Sequence, residues 1–182
     1  MAARAALATG LTANQVSFLG IVVAGLGAWL IVEAPARPWL FLASAACIQL
    51  RLLANMIDGL VAVEGGRGGP TGAIWNEFPD RIEDSLFLVA TGYAAGMPWL
   101  GWLAALLAAI CSYVRLLGGT LGMPQDFSGP MAKPHRMAAL TLGCLVAIAW
   151  SQGLVLALGL IAAGTVVTIF RRLARQSLAL RS

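Results

Sequence analysis

Uncharged apolar runs alternate with short polar connections along this chain, and their lengths predict membrane-spanning helices. Residues 15–32, QVSFLGIVVAGLGAWLIV, carry no charge and suffice for one span, since about 20 apolar residues at about 1.5 Å each cross a hydrocarbon core of roughly 30 Å. Two prolines in the following EAPARP predict a reversal. Residues 38–50 and 85–97 are also apolar, but each run reaches only about 20 Å. The polar segments 51–63, RLLANMIDGLVAV, and 72–84, GAIWNEFPDRIED, must therefore complete spans two and three. Both charged halves adjoin the loop EGGRGGPT and so share one side of the membrane. A fourth span runs from Pro98 to about Gly118. Residues 137–170 are uncharged and too long for a single crossing, which predicts a turn near Ser151-Gln152-Gly153 between spans five and six.

The expected fold is an all-α integral membrane protein of six transmembrane helices, with a short N-terminal interfacial segment around Arg4. Composition agrees: 59% of the 182 residues are hydrophobic and 11% charged, and the mean hydropathy is +0.83, which excludes an ordinary soluble domain. Residues 1–182 read as a single domain with no room for a soluble one. Of the twelve lysines and arginines, only Arg37 falls in a far-side connection. Arg4, Arg67, Lys133, Arg136, Arg171, Arg172, Arg175 and Arg181 fall on the near side. The positive-inside rule then expects both termini and the charged half-spans on the cytoplasmic side of the inner membrane. Nothing calls for a nucleic-acid partner. Cys47, Cys111 and Cys144 are isolated in apolar runs and His135 is the sole histidine, so a metal here would be held by oxygen.

Ionisable groups within spans cost at least a few kcal/mol and face a cavity or one another. Here they are periodic. Arg51, Asn55 and Asp58 are spaced by four and three, and Asn76, Asp80, Glu83 and Asp84 continue the pattern, so each set lies on one face of its helix. Joined by a short loop, the two faces are expected to form an oxygen-rich pocket suited to a hard divalent cation, Mg²⁺ or Mn²⁺.

The stretch DGLVAVEGGRGGPTGAIWNEFPD resembles the signature of the CDP-alcohol phosphatidyltransferases, D-x-x-D-G-x-x-A-R-x8-G-x3-D-x3-D. Asp58, Gly59, Ala62, Gly72 and Asp80 occupy its second Asp, first Gly, Ala, second Gly and last Asp without a gap. The opening LTANQVS resembles the family's stretch before its first span. Three positions depart: Asn55 and Asn76 stand for the first and third Asp, and Val63 for the Arg.

The resemblance implies transfer of a phosphatidyl group from CDP-diacylglycerol to an alcohol with release of CMP. It implies a cation held by Asp58, Asn55, Asn76 and Asp80, with Asp84 restoring a charge, and Asp80 as general base. Asp58, Gly59, Ala62 and Gly72 would receive the cytidine nucleotide. Arg115, Lys133 and Arg136 resemble acceptor-phosphate positions, which implies a phosphorylated polyol such as glycerol 3-phosphate or an inositol phosphate. Arg171, Arg172 and Arg175 are expected to anchor the last helix to lipid headgroups. A catalytically degenerate homologue and a transporter or channel with an intramembrane ion site remain as alternatives. The oligomeric state stays open, a homodimer being one arrangement this reading allows.

Overall fold

The structure, a computed structural model, describes residues 13–64 and 72–181; the side chains of residues 13, 57–64, 72, 73 and 76 lie outside that description. The described residues form six α-helices: α1 Ala13–Glu33, α2 Leu40–Glu64, α3 Gly72–Ala94, α4 Pro98–Thr120, α5 Lys133–Ala147 and α6 Gly153–Ala179, with a 3₁₀ turn at Ala34–Ala36. The breaks fall where the pattern places them. Pro35, Pro98 and Pro134 occupy first turns of helical segments, where the missing N–H costs nothing. Gly96, at φ +68°, takes the left-handed conformation needed to turn from α3 into α4.

Among the described residues, three stretches are long and apolar enough to cross a membrane by themselves: Asn14–Ala36, Pro98–Thr120 and Gly153–Ala179. In α2 the apolar part is Leu40–Met56, and polar residues complete the helix. The burial pattern of α1 is that of a membrane helix. Its inward face carries mostly small residues, Ser17, Gly20, Ala24, Gly27 and Ala28, while Phe18, Val22, Leu26 and Trp29 face outward. A soluble helix would bury the large residues; in lipid, association depends on close approach of small ones. The chain is an integral membrane protein.

The helices close into a ring. α1 packs on α2 and α3, α3 on α4, α4 on α6, α6 on α5, and α5 on α2. The α3–α4 crossing is in backbone contact, because a Cβ on Gly92 would lie 2.7 Å from the Cα of Gly101. Inside the ring, Ile31, Ile48, Phe87, Leu88, Leu140 and Leu158 form the apolar core. Gln49 Nε2 donates to Thr141 Oγ1 at 2.8 Å, tying α2 to α5. Trp39, Trp99 and Trp150, all exposed, sit beside the turns at the end of the bundle that carries Arg37, a placement typical of a membrane interface. The charged half-spans gather at the opposite end.

Candidate active site

α2 and α3 each pack chiefly on α1, and their polar faces meet through long side chains. Arg51, with no exposed surface, reaches from α2 to α3. Its Nε donates to Glu83 Oε2, and its Nη2 donates to Asp84 Oδ1 at 2.9 Å and to Asp80 Oδ1 at 3.3 Å. One turn further along α2, Asn55 Nδ2 donates to Asp80 Oδ1 at 2.6 Å. The fit is made possible by α1, where a Cβ on Gly20 would lie 2.5 Å from Glu83 Oε1. On α3, Pro79 has no N–H for the carbonyl one turn earlier, so the helical ladder is interrupted just before Asp80.

α5 supplies the other side of the cluster. Lys133 pairs with Asp80 Oδ2. Arg136 Nη2 donates to Asp84 Oδ2 at 3.1 Å, and its Nη1 to the carbonyl of Met131 at 3.1 Å. Both oxygens of Asp84, expected to lend a charge to a cation, are thus engaged by arginines. The cause is burial: a carboxylate with 2% exposure needs charged partners of its own. Arg136, expected to bind the acceptor, is likewise 1% exposed and committed to Asp84.

A cavity of about 540 Å³ opens beside Asp80, walled by α3, α4, α5, α6 and the 121–132 connection. Arg81, Arg115, Lys133, Arg136 and Arg172 line it together with Glu77 and Asp80, so five cationic side chains face two carboxylates. Counting Asp84 behind Arg136 leaves an excess of two positive charges. Arg115 lies 4.7 Å from the centroid of the Phe127 ring, and its Nη1 donates to Gln125 Oε1 at 3.0 Å.

Arg172 corrects the sequence reading. It is not a lipid anchor but is buried, with Nη1 donating to the carbonyl of Cys111 at 3.0 Å and Nε to that of Ser128 at 3.1 Å. The signal was periodicity. Thr165, Thr168, Arg172 and Gln176 recur at spacings of three and four and are all buried; Thr168 Oγ1 accepts from Met131 N at 3.0 Å, and Gln176 Nε2 donates to the carbonyl of Val114 at 2.8 Å. This stripe fixes the 121–132 connection over the cavity. Arg175, beyond it, reaches Asp126 and the hydroxyl of Ser128. Partial burial acts to raise the Asp126 carboxyl, but hydrogen bonds from Ser128 and the nearby Arg175 outweigh it and hold the group below its ordinary value.

The structure thus brings Asn55, Asp80, Arg115, Lys133 and Arg136 to one end of the bundle. The side chains of Asp58, Ala62 and Asn76, with the surroundings of Gly59 and Gly72, lie outside the described residues. Among the described residues no three acidic, histidine or cysteine side chains form a metal-binding group. The donors that are described, the Asp80 carboxylate and the Asn55 amide oxygen, are hard oxygens suited to a hard divalent cation, and both Asp80 oxygens also carry protein partners, Asn55 and Arg51 on one and Lys133 on the other.

No family model matches the chain. It is 36% identical over 149 residues to archaetidylinositol phosphate synthase of Aeropyrum pernix, covering 79% of this chain and 76% of that protein. It is 30% identical over 183 residues to phosphatidylinositol phosphate synthase of Mycobacterium marinum, covering 94% and 76%. The fold matches phosphatidylinositol phosphate synthase of Mycobacterium tuberculosis, solved in complex with manganese and citrate and with CDP-DAG bound. Each comparison has a TM-score of 0.81 at 24% identity over 96% of this chain, and 86% and 90% of the respective solved chains. With the signature positions in register on α2 and α3 and relatives of this similarity along most of its length, the chain belongs to the CDP-alcohol phosphatidyltransferase family.

Proposed function

We propose that the protein transfers a phosphatidyl group from CDP-diacylglycerol to a phosphorylated polyol, an inositol phosphate first among candidates, releasing CMP. The observation that carries this reading is the cavity beside Asp80, whose excess of two positive charges matches a phosphomonoester of about −1.5 to −2. Relatives named as synthases of phosphatidylinositol phosphate and archaetidylinositol phosphate support the same acceptor class. Residues 1–182 act as one domain of six spans, with both termini and the site on the cytoplasmic side, in keeping with the distribution of lysine and arginine.

The acceptor's phosphate lies against Arg115, Lys133 and Arg172, which directs its free hydroxyl toward Asp80. Asp80 takes the hydroxyl proton as the oxygen attacks the lipid-side phosphorus, and the bond to CMP breaks in line. Asp58, Asn55, Asn76 and Asp80 would hold a divalent cation, Mg²⁺ or Mn²⁺; when bound it neutralises charge on the diphosphate and the departing CMP. Gly59, Ala62 and Gly72 leave room for the nucleotide. Arg136 acts through Asp84 and Met131, holding the start of α5 in place.

Incubation of the purified protein with CDP-diacylglycerol and a panel of acceptors, followed by mass spectrometry, should yield CMP and a phosphatidylated polyol phosphate. Absence of both products across the panel sinks the transferase reading, and cation flux in its place would favour a channel. Arg115→Ala should raise KM for the phosphorylated acceptor roughly 10- to 100-fold with little change in KM for the CDP-lipid, because a charge-assisted contact contributes about 1.5–3 kcal/mol. Equal effects on both constants would place Arg115 outside the acceptor site.

The asparagines make a separate test of metal use. Asn55→Asp replaces a donating amide NH2 2.6 Å from Asp80 with a carboxylate oxygen, a repulsive contact unless a cation intervenes. Combined with Asn76→Asp, it should shift half-maximal activity to lower Mg²⁺ or Mn²⁺ concentration. Unchanged metal dependence of both binding and activity would remove these positions from the cation site.

A further inference from the structure

Each cation in the cavity already has an anionic or carbonyl partner, and the partners differ in how firmly they are held. Lys133 pairs with Asp80, and Arg136 with buried Asp84. Arg172 binds two backbone carbonyls. Arg115 is different: both carboxylate oxygens of Glu77 accept from its Nη2, at 2.7 and 2.6 Å. Glu77 also accepts from Arg81 Nη2 at 3.2 Å. Its side chain retains 26% exposure, and among the described contacts its carboxylate meets only these two arginines. It is a displaceable anion, lining the cavity where an acceptor phosphate would meet Arg115.

We propose that Glu77 is an internal stand-in for the acceptor's phosphate and thereby a specificity-determining residue, a role that rests on the phosphorylated-acceptor reading above. In this structure its carboxylate satisfies Arg115 and Arg81. A phosphomonoester displaces it because it brings nearly two charges and three acceptor oxygens against one charge and two oxygens. A monoanion, such as a phosphodiester headgroup, gains no charge over Glu77 and does not displace it. Glu77 thus raises the concentration of acceptor needed, and in return keeps singly charged phosphates off Arg115, a selection made by competition. No covalent step is involved.

The test is calorimetric titration of the purified protein with glycerol 3-phosphate, inositol phosphate and dimethyl phosphate, the last carrying a single charge. The wild type should bind the two monoesters and scarcely bind dimethyl phosphate. Glu77→Gln, which keeps the shape and removes the charge, should tighten the monoesters about three- to tenfold, the scale of a partly exposed ion pair removed as competitor, and should bring dimethyl phosphate into measurable binding. In turnover, KM for the acceptor should fall and KM for the CDP-lipid should hold. Glu77→Ala serves as a second variant should the first fail to fold. Weaker monoester binding in a folded variant would show that Glu77 merely orients Arg115, and equal affinities in wild type and variant would remove it from the site; either overturns the proposal, as does failure of wild type and variant to bind any monoester. Because binding is read without catalysis, phosphate binding without CMP release would instead count against the transferase reading alone.

Discussion

Asp80→Asn is expected to lower turnover roughly 100- to 10,000-fold, the range for removal of a positioned general base. The substitution preserves shape, and an amide can still accept from Asn55 and Arg51 through its oxygen, so α2 and α3 should remain joined. The other terminus of the new side chain is an amide NH2 facing Lys133, which sets donor against donor where an ion pair stood. Some loss of acceptor affinity should therefore accompany the loss of turnover. Single-turnover measurement at saturating CDP-lipid and acceptor separates the two. A rate within a few-fold of wild type under those conditions would rule out Asp80 as the base.

Arg51→Met should be the most destabilising substitution at the site. Arg51 is fully buried and engages Glu83, Asp84 and Asp80 at once. Deleting one partner of a buried ion pair costs about 3–5 kcal/mol, since the remaining carboxylate is left without compensation. Glu83 suffers most, having no exposed surface, whereas Asp84 retains Arg136 and Asp80 retains Lys133. Adding Glu83→Leu to Arg51→Met should accordingly recover much of the loss, although a bulkier apolar group must fit beside Gly20. Arg51→Lys should fare worse than its charge implies, because one ammonium cannot replace a planar fork spanning three carboxylates. Thermal unfolding of the four proteins in one detergent reads the order directly. Equal midpoints for wild type and Arg51→Met would mean that the cluster contributes nothing to holding α2 against α3.

These two substitutions mark where local and tertiary information divide. The helices were legible because their causes are local: apolar runs of span length, and prolines at the reversal after α1 and at the start of α4. The register of Asp58, Gly59, Ala62, Gly72 and Asp80 is likewise a property of the string, and it identified the family. Periodicity also showed that Asn55 shares a face with Arg51, and that Asp80, Glu83 and Asp84 share another. What periodicity could not supply was the partner of each charge. Within a membrane every ionised group must find compensation, but the choice depends on which helices adjoin in the ring. Asp84 was expected to face a cation and instead faces Arg51 from α2 and Arg136 from α5, positions 33 and 52 residues away. Arg172 looked like one more arginine at a helix end, until the packing of α6 on α4 directed it to the carbonyl of Cys111. Glu77 lay one position off the signature, and only the approach of α4 gave it Arg115. The sequence by itself determined where the helices lie and which of their faces carry charge, because both follow from local pattern and from the cost of burying polar groups in lipid. The tertiary structure alone decided which charges neutralise one another and which remain to meet a substrate, because that cost is met by any counter-charge within reach and the chain order does not say which one arrives.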